Sequence, residues 1–250
     1  MNKKYLPFIV LLLLTNCKSA TKQSSENYGP EFTAVENKIN SKNIVVIAEL
    51  PHVRGFSILG FQEQLEEKKI KVKKIAAAGV SSLALTLKST VNKKEFEWAL
   101  LQLNEEVLPH SKDPEKWINP ESSKKKKLKK LLNKILSNKG TLFDRLNFDI
   151  LFFDKNEQKV RKITAQDDFI EKLIESVWLK EVTTTEWALD ESNDTVFIWF
   201  KNEWGPSDPK NVALLDLTTQ IDADDYKQKK QAIYLGRQML LESLRVLENL

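Results

Sequence analysis

Short apolar runs alternate with stretches of helical periodicity from residue 44 to the end of the chain. The β-branched run Ile44–Ala48 predicts a fully buried strand, and apolar positions recur at helical spacing through Gly55–Lys69 behind it. Lys74–Ala78 predicts a second strand, and we expect a helix to begin at Gly79. Further helices are predicted at Phe96–Val107, Lys124–Leu136, Asp167–Leu179 and Asp224–Asn249, and further strands at Asp149–Phe153, Thr195–Phe200 and Val212–Leu217. This alternation predicts a layered α/β fold with a mostly parallel central sheet flanked by helices.

The start of the chain follows a different pattern. A basic N-terminus precedes the apolar run Leu6–Leu14, and Cys17 comes shortly after it. As a helix this run extends about 13 Å, well short of the roughly 30 Å hydrocarbon core of a bilayer, so we do not expect it to span one. The arrangement resembles a bacterial lipoprotein signal, although Asn16 stands where a small Ala or Gly is usual. The resemblance implies that Cys17 becomes the first mature residue and carries acyl chains.

These features divide the chain into three predicted parts. Residues 1–16 are a predicted signal peptide, residues 17–40 a lipidated polar tether, and residues 41–250 the folded domain. On this interpretation the protein is exported and anchored to the bacterial cell envelope, at the outer or inner membrane, by the lipid on Cys17. The alternative is a free or buried cysteine behind an ordinary secretory signal.

Composition and charge narrow the classes of function. The 250 residues are 41% hydrophobic and 30% charged, which is enough apolar material for a core and too much for wholesale disorder. The net charge of +4 is a weak surplus, whereas nucleic-acid binders usually carry a concentrated basic field, so no nucleic-acid partner is expected. One cysteine permits no internal disulfide, and with two histidines it makes a poor zinc site. We therefore expect no metal and no other cofactor.

The most specific sequence pattern lies between the first predicted strand and the helix after the second. Its residues are Arg54-Gly55-Phe56, Gly60, Leu65-Glu66-Glu67 and Ile75-Ala76. In this spacing the chain resembles the patatin-like phospholipase family, in which a Gly-rich turn ending in Arg-Gly-Phe precedes a helix, and a second strand runs into Gly-x-Ser-x-Gly. The likeness covers most of residues 44–250, strongly at the start and faintly between 180 and 210. It implies a patatin-like fold and, in an intact member, hydrolysis of lipid esters.

The resemblance places a glycine where the family has its nucleophile. A patatin-type hydrolase uses a Ser nucleophile at a sharp strand-to-helix turn, an Asp that activates it, and backbone N–H groups that hold the oxyanion. In this chain Gly79 falls on the nucleophile, while Ala77 and Ser81 fall on the two glycines of the motif. Glycine has no Oγ, so nothing at this position can attack an ester, although a glycine still suits a tight turn.

The other two parts of the family's site also depart from its pattern. No Asp-Gly dipeptide occurs in the chain to supply the activating aspartate, and the segment expected there continues from Phe200 as Lys201-Asn202. The Gly-rich turn is replaced by Leu50-Pro51-His52-Val53, and Pro51 has no N–H to donate. Arg54 and Gly55 remain as a remnant of the oxyanion turn. Three separate losses predict that the Ser-Asp dyad is absent and that the chain lacks hydrolase activity.

A rearranged site is the alternative. Ser81 or Ser82 is then the nucleophile, and the candidate partners are Asp194, Asp208 and Asp216. Against this, Ser81 lies about 200° around the helix from the turn position and points away from the oxyanion turn. Both serines would otherwise be small residues that pack the helix on the sheet. A Ser-His-Asp site through His52 or His110 has no spacing to support it, and we expect both histidines to be structural or surface residues.

The leading hypothesis from sequence is a membrane-anchored lipoprotein whose patatin-like domain has lost hydrolase activity and acts by binding. Its candidate ligands are a phospholipid or acyl chain in the vestigial cleft, or a protein of the envelope. An active phospholipase or esterase with a relocated serine is the alternative. A third class is a structural envelope protein that makes contacts through Lys124–Lys130 and the aromatic run Phe197–Phe200. The simpler interpretation of the lysine run is the solvated face of an amphipathic helix.

Overall fold

The described residues form eleven segments that are separated by ten gaps. The computed structural model describes residues 43–50, 52–109, 123–136, 143–154, 157, 159–165, 167–179, 195–200, 212–215, 221–222 and 224–248. The predicted signal, the tether, Cys17 and His110 lie outside these residues, as do Asp194, Asp208 and Asp216. No helix within the described segments is long and apolar enough to cross a membrane.

All five strands predicted from apolar runs are present, and a sixth strand with the sequence KVRK, which no apolar run predicts, completes one sheet. The strands are β1 (Asn43–Ala48), β2 (Lys74–Ala77), β3 (Asp149–Asp154), β4 (Lys159–Lys162), β5 (Thr195–Phe200) and β6 (Val212–Leu215). Their order is β4-β3-β2-β1-β5-β6, and every neighbouring pair is parallel except the antiparallel β3 and β4. Strand β1 lies between β2 and β5, with Val46 opposite both Ile75 and Ile198, and only its first residue is exposed. The continuous apolar run is thus a central parallel strand.

Six α-helices flank the sheet within the described segments. They are α1 (Ser57–Glu67), α2 (Gly79–Thr90), α3 (Lys93–Gln102), α4 (Ser123–Leu136), α5 (Phe169–Val177) and α6 (Lys229–Glu248). Short 3-10 turns at Val53–Phe56 and Tyr226–Gln228 lead into α1 and α6. Helix α2 begins at Gly79, the residue at which the sequence predicts it. The predicted layered α/β fold with a mostly parallel sheet flanked by helices is confirmed.

The predicted boundaries of one helix, Phe96–Val107, are wrong at both ends. Helix α3 begins at Lys93 because Asn92 and Glu95 form a reciprocal capping box. It ends at Gln102, since the Asn104 side chain accepts the Glu106 N–H and holds the following residues in a turn. The apolar spacing alone favours a helix that continues to Val107, but the local hydrogen bond between Glu106 and the Asn104 side chain forms a turn there instead.

The last helix also starts later than predicted. Asp224 lies in a turn, and the Asp225 side chain accepts the Lys227 N–H at 3.0 Å, which caps a 3-10 turn. Helix α6 then begins at Lys229 and continues to Glu248. Aspartates favour such caps because their short side chains compete for nearby backbone N–H groups.

Two helices that are distant in sequence, α1 and α6, meet at an unusually close crossing. A Cβ added to Gly60 would lie 1.8 Å from the Ile233 carbonyl oxygen, and one added to Gly236 would lie 1.8 Å from the Ser57 carbonyl oxygen. The backbones therefore touch where side chains would normally separate them. Phe61 of α1 then meets Phe200 of β5 edge to face, with ring centroids 4.8 Å apart. This packing fixes the helix behind the β1 turn against the sheet.

Candidate functional site

A sharp strand-to-helix turn closes β2 and opens α2. Ala78 is extended, with φ −137° and ψ 176°, and Gly79 immediately adopts a left-handed φ of 64°. The Ala78 N–H donates to the Ala48 carbonyl oxygen at 2.8 Å, which ties the turn to the carboxyl end of β1. This is the strained geometry in which elbow-type hydrolases present a serine. At Gly79 it presents no side chain.

The turn after β1 lies directly against this elbow. The Val80 N–H donates to the Leu50 carbonyl oxygen at 3.1 Å. In elbow-type hydrolases, the N–H of the residue after the nucleophile is one of the oxyanion donors. Here that donor is already bonded to the main chain. A vacant oxyanion site at Val80 would require the Leu50 carbonyl to move away.

Gly55, a residue of the predicted turn remnant, is required by this close contact. Its N–H donates to the His52 carbonyl oxygen at 3.1 Å and closes the turn. A Cβ at Gly55 would lie 2.6 Å from the Leu50 carbonyl oxygen and 2.7 Å from the Ser81 nitrogen. Both neighbours are backbone atoms, so a side chain here would push the β1 turn off the start of α2.

Arg54, the other residue of the remnant, joins the turn to a distant segment. Its Nε and Nη2 donate to the Ile221 carbonyl oxygen at 3.1 and 3.0 Å. The two bonds reach across 167 residues of sequence. Arg54 thus holds the turn against the segment that leads into α6.

His52 occupies a backbone conformation that is nearly reserved for glycine. Its φ is 61° and its ψ is −160°, a region that costs other residues about 1–3 kcal/mol. The side chain is buried, with Nδ1 3.2 Å from the Pro109 carbonyl oxygen and 4.0 Å from Asp224 Oδ1. The turn therefore has a glycine-like backbone shape at a residue that carries a side chain. His52 is therefore a buried structural residue and not a surface residue, the other possibility that the sequence allowed.

Tyr226 meets His52 at the same carbonyl group. Its hydroxyl donates to the Pro109 oxygen at 2.7 Å. Burial raises the pKa of Tyr226 well above its ordinary value, and the nearby Asp224 carboxylate raises it further. The sequence offered no signal for this cluster of His52, Asp224 and Tyr226 around the Pro109 carbonyl, because its members are scattered and belong to no motif.

A surface pocket of about 400 Å³ opens beside Tyr226. Leu101 and residues 104–106 of the turn after α3 line it, together with residues 225–227 and Lys230. Lys229 lines it as well, and its Nζ donates to the Leu103 carbonyl oxygen at 2.5 Å. Desolvation lowers the pKa of Lys229. The pocket thus carries charges of both signs. No pattern in the sequence predicted this pocket.

Ser81 and Ser82, the alternative nucleophiles, differ in their surroundings, but both are fully buried. Ser82 Oγ donates to the Gly79 carbonyl oxygen at 2.7 Å and receives the Ser176 hydroxyl at 2.9 Å. Ser81 Oγ has no hydrogen-bond partner among the described residues. A nucleophile needs a base within hydrogen-bond reach and access to substrate. Neither serine has that arrangement within the described segments, and their aspartate candidates lie outside them.

The described carboxylates and imidazole also form no cation site. No group of three or more Asp, Glu, His or Cys side chains is placed to hold a metal ion within the segments given above. The geometry at the carboxyl ends of β1 and β2 is therefore an elbow without a side chain, a turn bonded to it, and a polar cluster behind that turn. Ligands of parallel α/β sheets commonly bind at this edge.

Comparison with known proteins yields structural matches only. No protein-family model matches the chain, and no curated protein matches it. Among solved structures it is similar to ExoU of the Pseudomonas aeruginosa type III secretion system, in complex with SpcU, with TM-score 0.42 and 13% identity over 81% of this chain and 53% of ExoU. It is also similar to VipD from Legionella pneumophila, with TM-score 0.39 and 8% identity over 82% of this chain and 67% of VipD. The chain spans about half the length of ExoU, and matches at these values bear on neither its activity nor its partners.

Proposed function

We propose that this protein is a membrane-anchored bacterial lipoprotein with a patatin-like domain that does not hydrolyse esters and acts by binding a lipid or an envelope partner. The observation that carries the proposal is Gly79, which stands with φ 64° at the strand-to-helix turn where a patatin presents its serine. The turn geometry of a nucleophile is present, and the nucleophile is not. Without an Oγ the covalent route has no first step.

The hydrogen bond from Val80 to Leu50 supports the same conclusion. Loss of one oxyanion donor commonly raises the barrier by about 2.7–4 kcal/mol. Here the Val80 N–H bonds to the Leu50 carbonyl oxygen, and Pro51 brings no N–H to the turn at all. The nucleophile and the oxyanion site are therefore impaired independently of each other.

The sheet edge and a surface pocket support a binding role. The edge formed by β1 and β2 is where α/β domains bind ligands, and a separate pocket beside Tyr226, of about 400 Å³, is large enough for a small ligand. For the membrane anchor the support is the sequence of residues 1–17, which lie outside the described segments. Several acyl chains on Cys17 would anchor the protein essentially permanently, since each buried methylene contributes roughly 0.8 kcal/mol.

Labelling with a fluorophosphonate tests the loss of catalysis. The purified protein is treated beside an active patatin, and the intact masses are compared. We expect no adduct on this protein under conditions that label the control completely. A stoichiometric adduct that maps to Ser81 or Ser82 would overturn the proposal in favour of a relocated-nucleophile hydrolase.

Two further measurements test the anchor and the ligand. Growth with a clickable palmitate should label the wild-type protein and leave the Cys17→Ser variant unlabelled. Native mass spectrometry of the wild-type protein taken from membranes should show a bound lipid that an unrelated lipoprotein purified in parallel lacks. An unlabelled wild-type protein would overturn the anchor, and protein with neither bound lipid nor a co-purified envelope protein would overturn the binding role.

A further inference from the structure

Helix α4 is the most strongly basic element among the described residues. It carries seven lysines and no acidic residue over Ser123–Leu136. Its buried side is formed by Leu128, Leu132, Ile135 and Leu136. At about 100° per residue, Lys130 lies opposite this apolar side, with Lys126 and Lys134 about 40° to either side of it. These three lysines form an exposed ridge along the helix, which we call the lysine ridge.

Three lysines at the sides of α4 are engaged with neighbouring elements, whereas two of the three ridge lysines make no ion pair within the described segments. Lys127 pairs with Glu106, Lys129 pairs with Glu171, and Lys125 lies over the Trp178 ring. Lys126 and Lys130 make no ion pair within the described part of the chain, and both are exposed. Paired lysines at the sides hold the helix in place, so the unpaired charge is concentrated on its outermost line.

Exposed apolar groups adjoin the lysine ridge. Lys134 Nζ lies 4.7 Å from the centroid of the Trp98 ring on α3, and Trp98 is 37% exposed. Leu101, one turn farther along α3, is 73% exposed. An aromatic ring beside lysines is typical of surfaces that sit at the boundary between headgroups and acyl chains. Glu97 and Glu105 are exposed acidic residues in and after α3, and Lys93 and Lys94 are exposed basic residues at its start.

We propose that the lysine ridge, together with Trp98 and Leu101, docks the domain on an anionic phospholipid bilayer. Charge complementarity supports this docking, because three clustered cations without acidic neighbours on their own helix would face the phosphate charge of the bilayer surface. Leu101 and Trp98 then enter the interfacial region, where burial of their apolar surface adds to binding. This docking extends the proposed envelope location but uses neither the elbow nor the lipid on Cys17.

Vesicle partitioning of the unlipidated full chain tests the proposal. Every protein carries Cys17→Ser, so the acyl anchor is absent and the N-terminal segment is common to all. The readout is the ratio of partition coefficients on phosphatidylglycerol-containing and pure phosphatidylcholine vesicles. The test variant is K126Q/K130Q/K134Q, and the charge-matched control is K71Q/K159Q/K162Q, which removes exposed lysines away from α3 and α4.

The ridge variant should lower this ratio on the order of a hundredfold, at about fivefold per lysine, and the control should lower it much less. Raising the salt from 0.1 to 1 M, concentrations at which the screening length falls from about 10 to 3 Å, should abolish the preference of the unsubstituted chain. Thermal melts establish that both variants fold. Equal effects of the two variants, no effect of the ridge variant, or no preference for anionic vesicles would each overturn the proposal.

A site-specific probe separates bilayer docking from other binding. An environment-sensitive fluorophore attached through Asn133→Cys, an exposed position beside the ridge, should shift to the blue on anionic vesicles. The same fluorophore attached through Tyr234→Cys, an exposed position on α6, should not shift. A shift at α6 alone would overturn the assignment of the docking face. Saturable binding of the ridge to an acidic peptide with no shift on vesicles would indicate a protein partner instead.

Discussion

Gly79 occupies a sharp strand-to-helix turn and has no side chain to present there. Its φ of 64° is accessible to glycine at little cost and disfavoured for other residues. Glycine is therefore the residue that fits this turn with the least backbone strain. His52 shows the converse, since it holds a glycine-like conformation at φ 61° through burial and its contact with Pro109.

Restoring a hydroxyl at this turn should therefore not restore hydrolysis. Gly79→Ser should lower the free energy of unfolding by about 1–3 kcal/mol because of the positive φ, and it should remain unlabelled by a fluorophosphonate. The reason is that the Val80 N–H is bonded to Leu50 and cannot hold an oxyanion without rearrangement. Gly79→Ala is the control, with the same strain and no hydroxyl. An adduct on G79S that G79A lacks would show that the remaining machinery is competent.

At the scale of elements, helix crossings and helix ends decide the arrangement. Helices α1 and α6 approach so closely because Gly60 and Gly236 have no side chains between the two backbones. Helix α3 is short because its ends are set by the side chains of Asn92 and Asn104. Backbone contacts and caps thus determine where each helix lies and stops.

Gly60→Ala tests the α1–α6 crossing. Helix propensity alone predicts that alanine stabilises α1 by about 1 kcal/mol. The structure predicts the opposite sign, because the new Cβ would lie 1.8 Å from the Ile233 carbonyl oxygen. Overpacking should outweigh propensity and lower the free energy of unfolding by about 3 kcal/mol, measured by urea denaturation. Gln238→Ala, on the exposed side of α6, should change it by less than about 0.5 kcal/mol.

The capping box at the start of α3 gives a second prediction at this scale. Asn92→Ala removes the acceptor for the Glu95 N–H and should cost about 1 kcal/mol of unfolding free energy. Asn92→Asp retains a good cap and should cost little. Urea denaturation of the three proteins measures both values. Equal stability of the wild type and N92A would mean that packing alone holds the end of the helix.

For the molecule as a whole, bonds distant in sequence join the site to the C-terminal region. The Pro109 carbonyl oxygen contacts His52 across 57 residues and Tyr226 across 117 residues. Arg54 meets the Ile221 carbonyl across 167 residues. These bonds hold together the turn after β1, the end of the α3 segment and the start of α6. A substitution that breaks any one of them should therefore lower the free energy of unfolding of the whole domain.

Tyr226 should make that stability depend on alkaline pH. Its pKa is raised in the folded protein by burial and by Asp224, so the folded state keeps a proton that the unfolded state loses above about pH 10. Its contribution is fully present below about pH 10 and declines above it by at most about 1.4 kcal/mol per pH unit. Lys229, with a lowered pKa, makes stability rise with pH instead, but this effect is the same in the wild type and in a variant at Tyr226.

Tyr226→Phe removes this dependence together with the bond to Pro109. The variant should be about 1 kcal/mol less stable at pH 8, and the difference should shrink as the pH rises above 10. Urea midpoints of the two proteins at pH 8, 9, 10 and about 10.7 measure it. A difference that stays constant across this range would contradict the assignment to the Tyr226 proton.

Much of the site region was predictable from local pattern. The continuous apolar run at Ile44–Ala48 has the period of a buried parallel strand, and the small residues before Gly79 mark an abrupt turn into a helix. Both are local properties, and both are confirmed. The end of the helix predicted to reach Val107 was not predictable in this way, because the spacing of apolar residues continues where the Asn104 turn interrupts the backbone.

The sequence by itself determined the α/β layering and the absence of a nucleophilic side chain at residue 79, since periodicity and residue identity are local quantities. Only the tertiary structure decided that the Val80 N–H is taken by Leu50, that His52 and Tyr226 share the Pro109 carbonyl, and that Lys134 lies on Trp98. Each of these joins residues from different elements. Such pairs are set by how the elements pack, and packing depends on all of them at once.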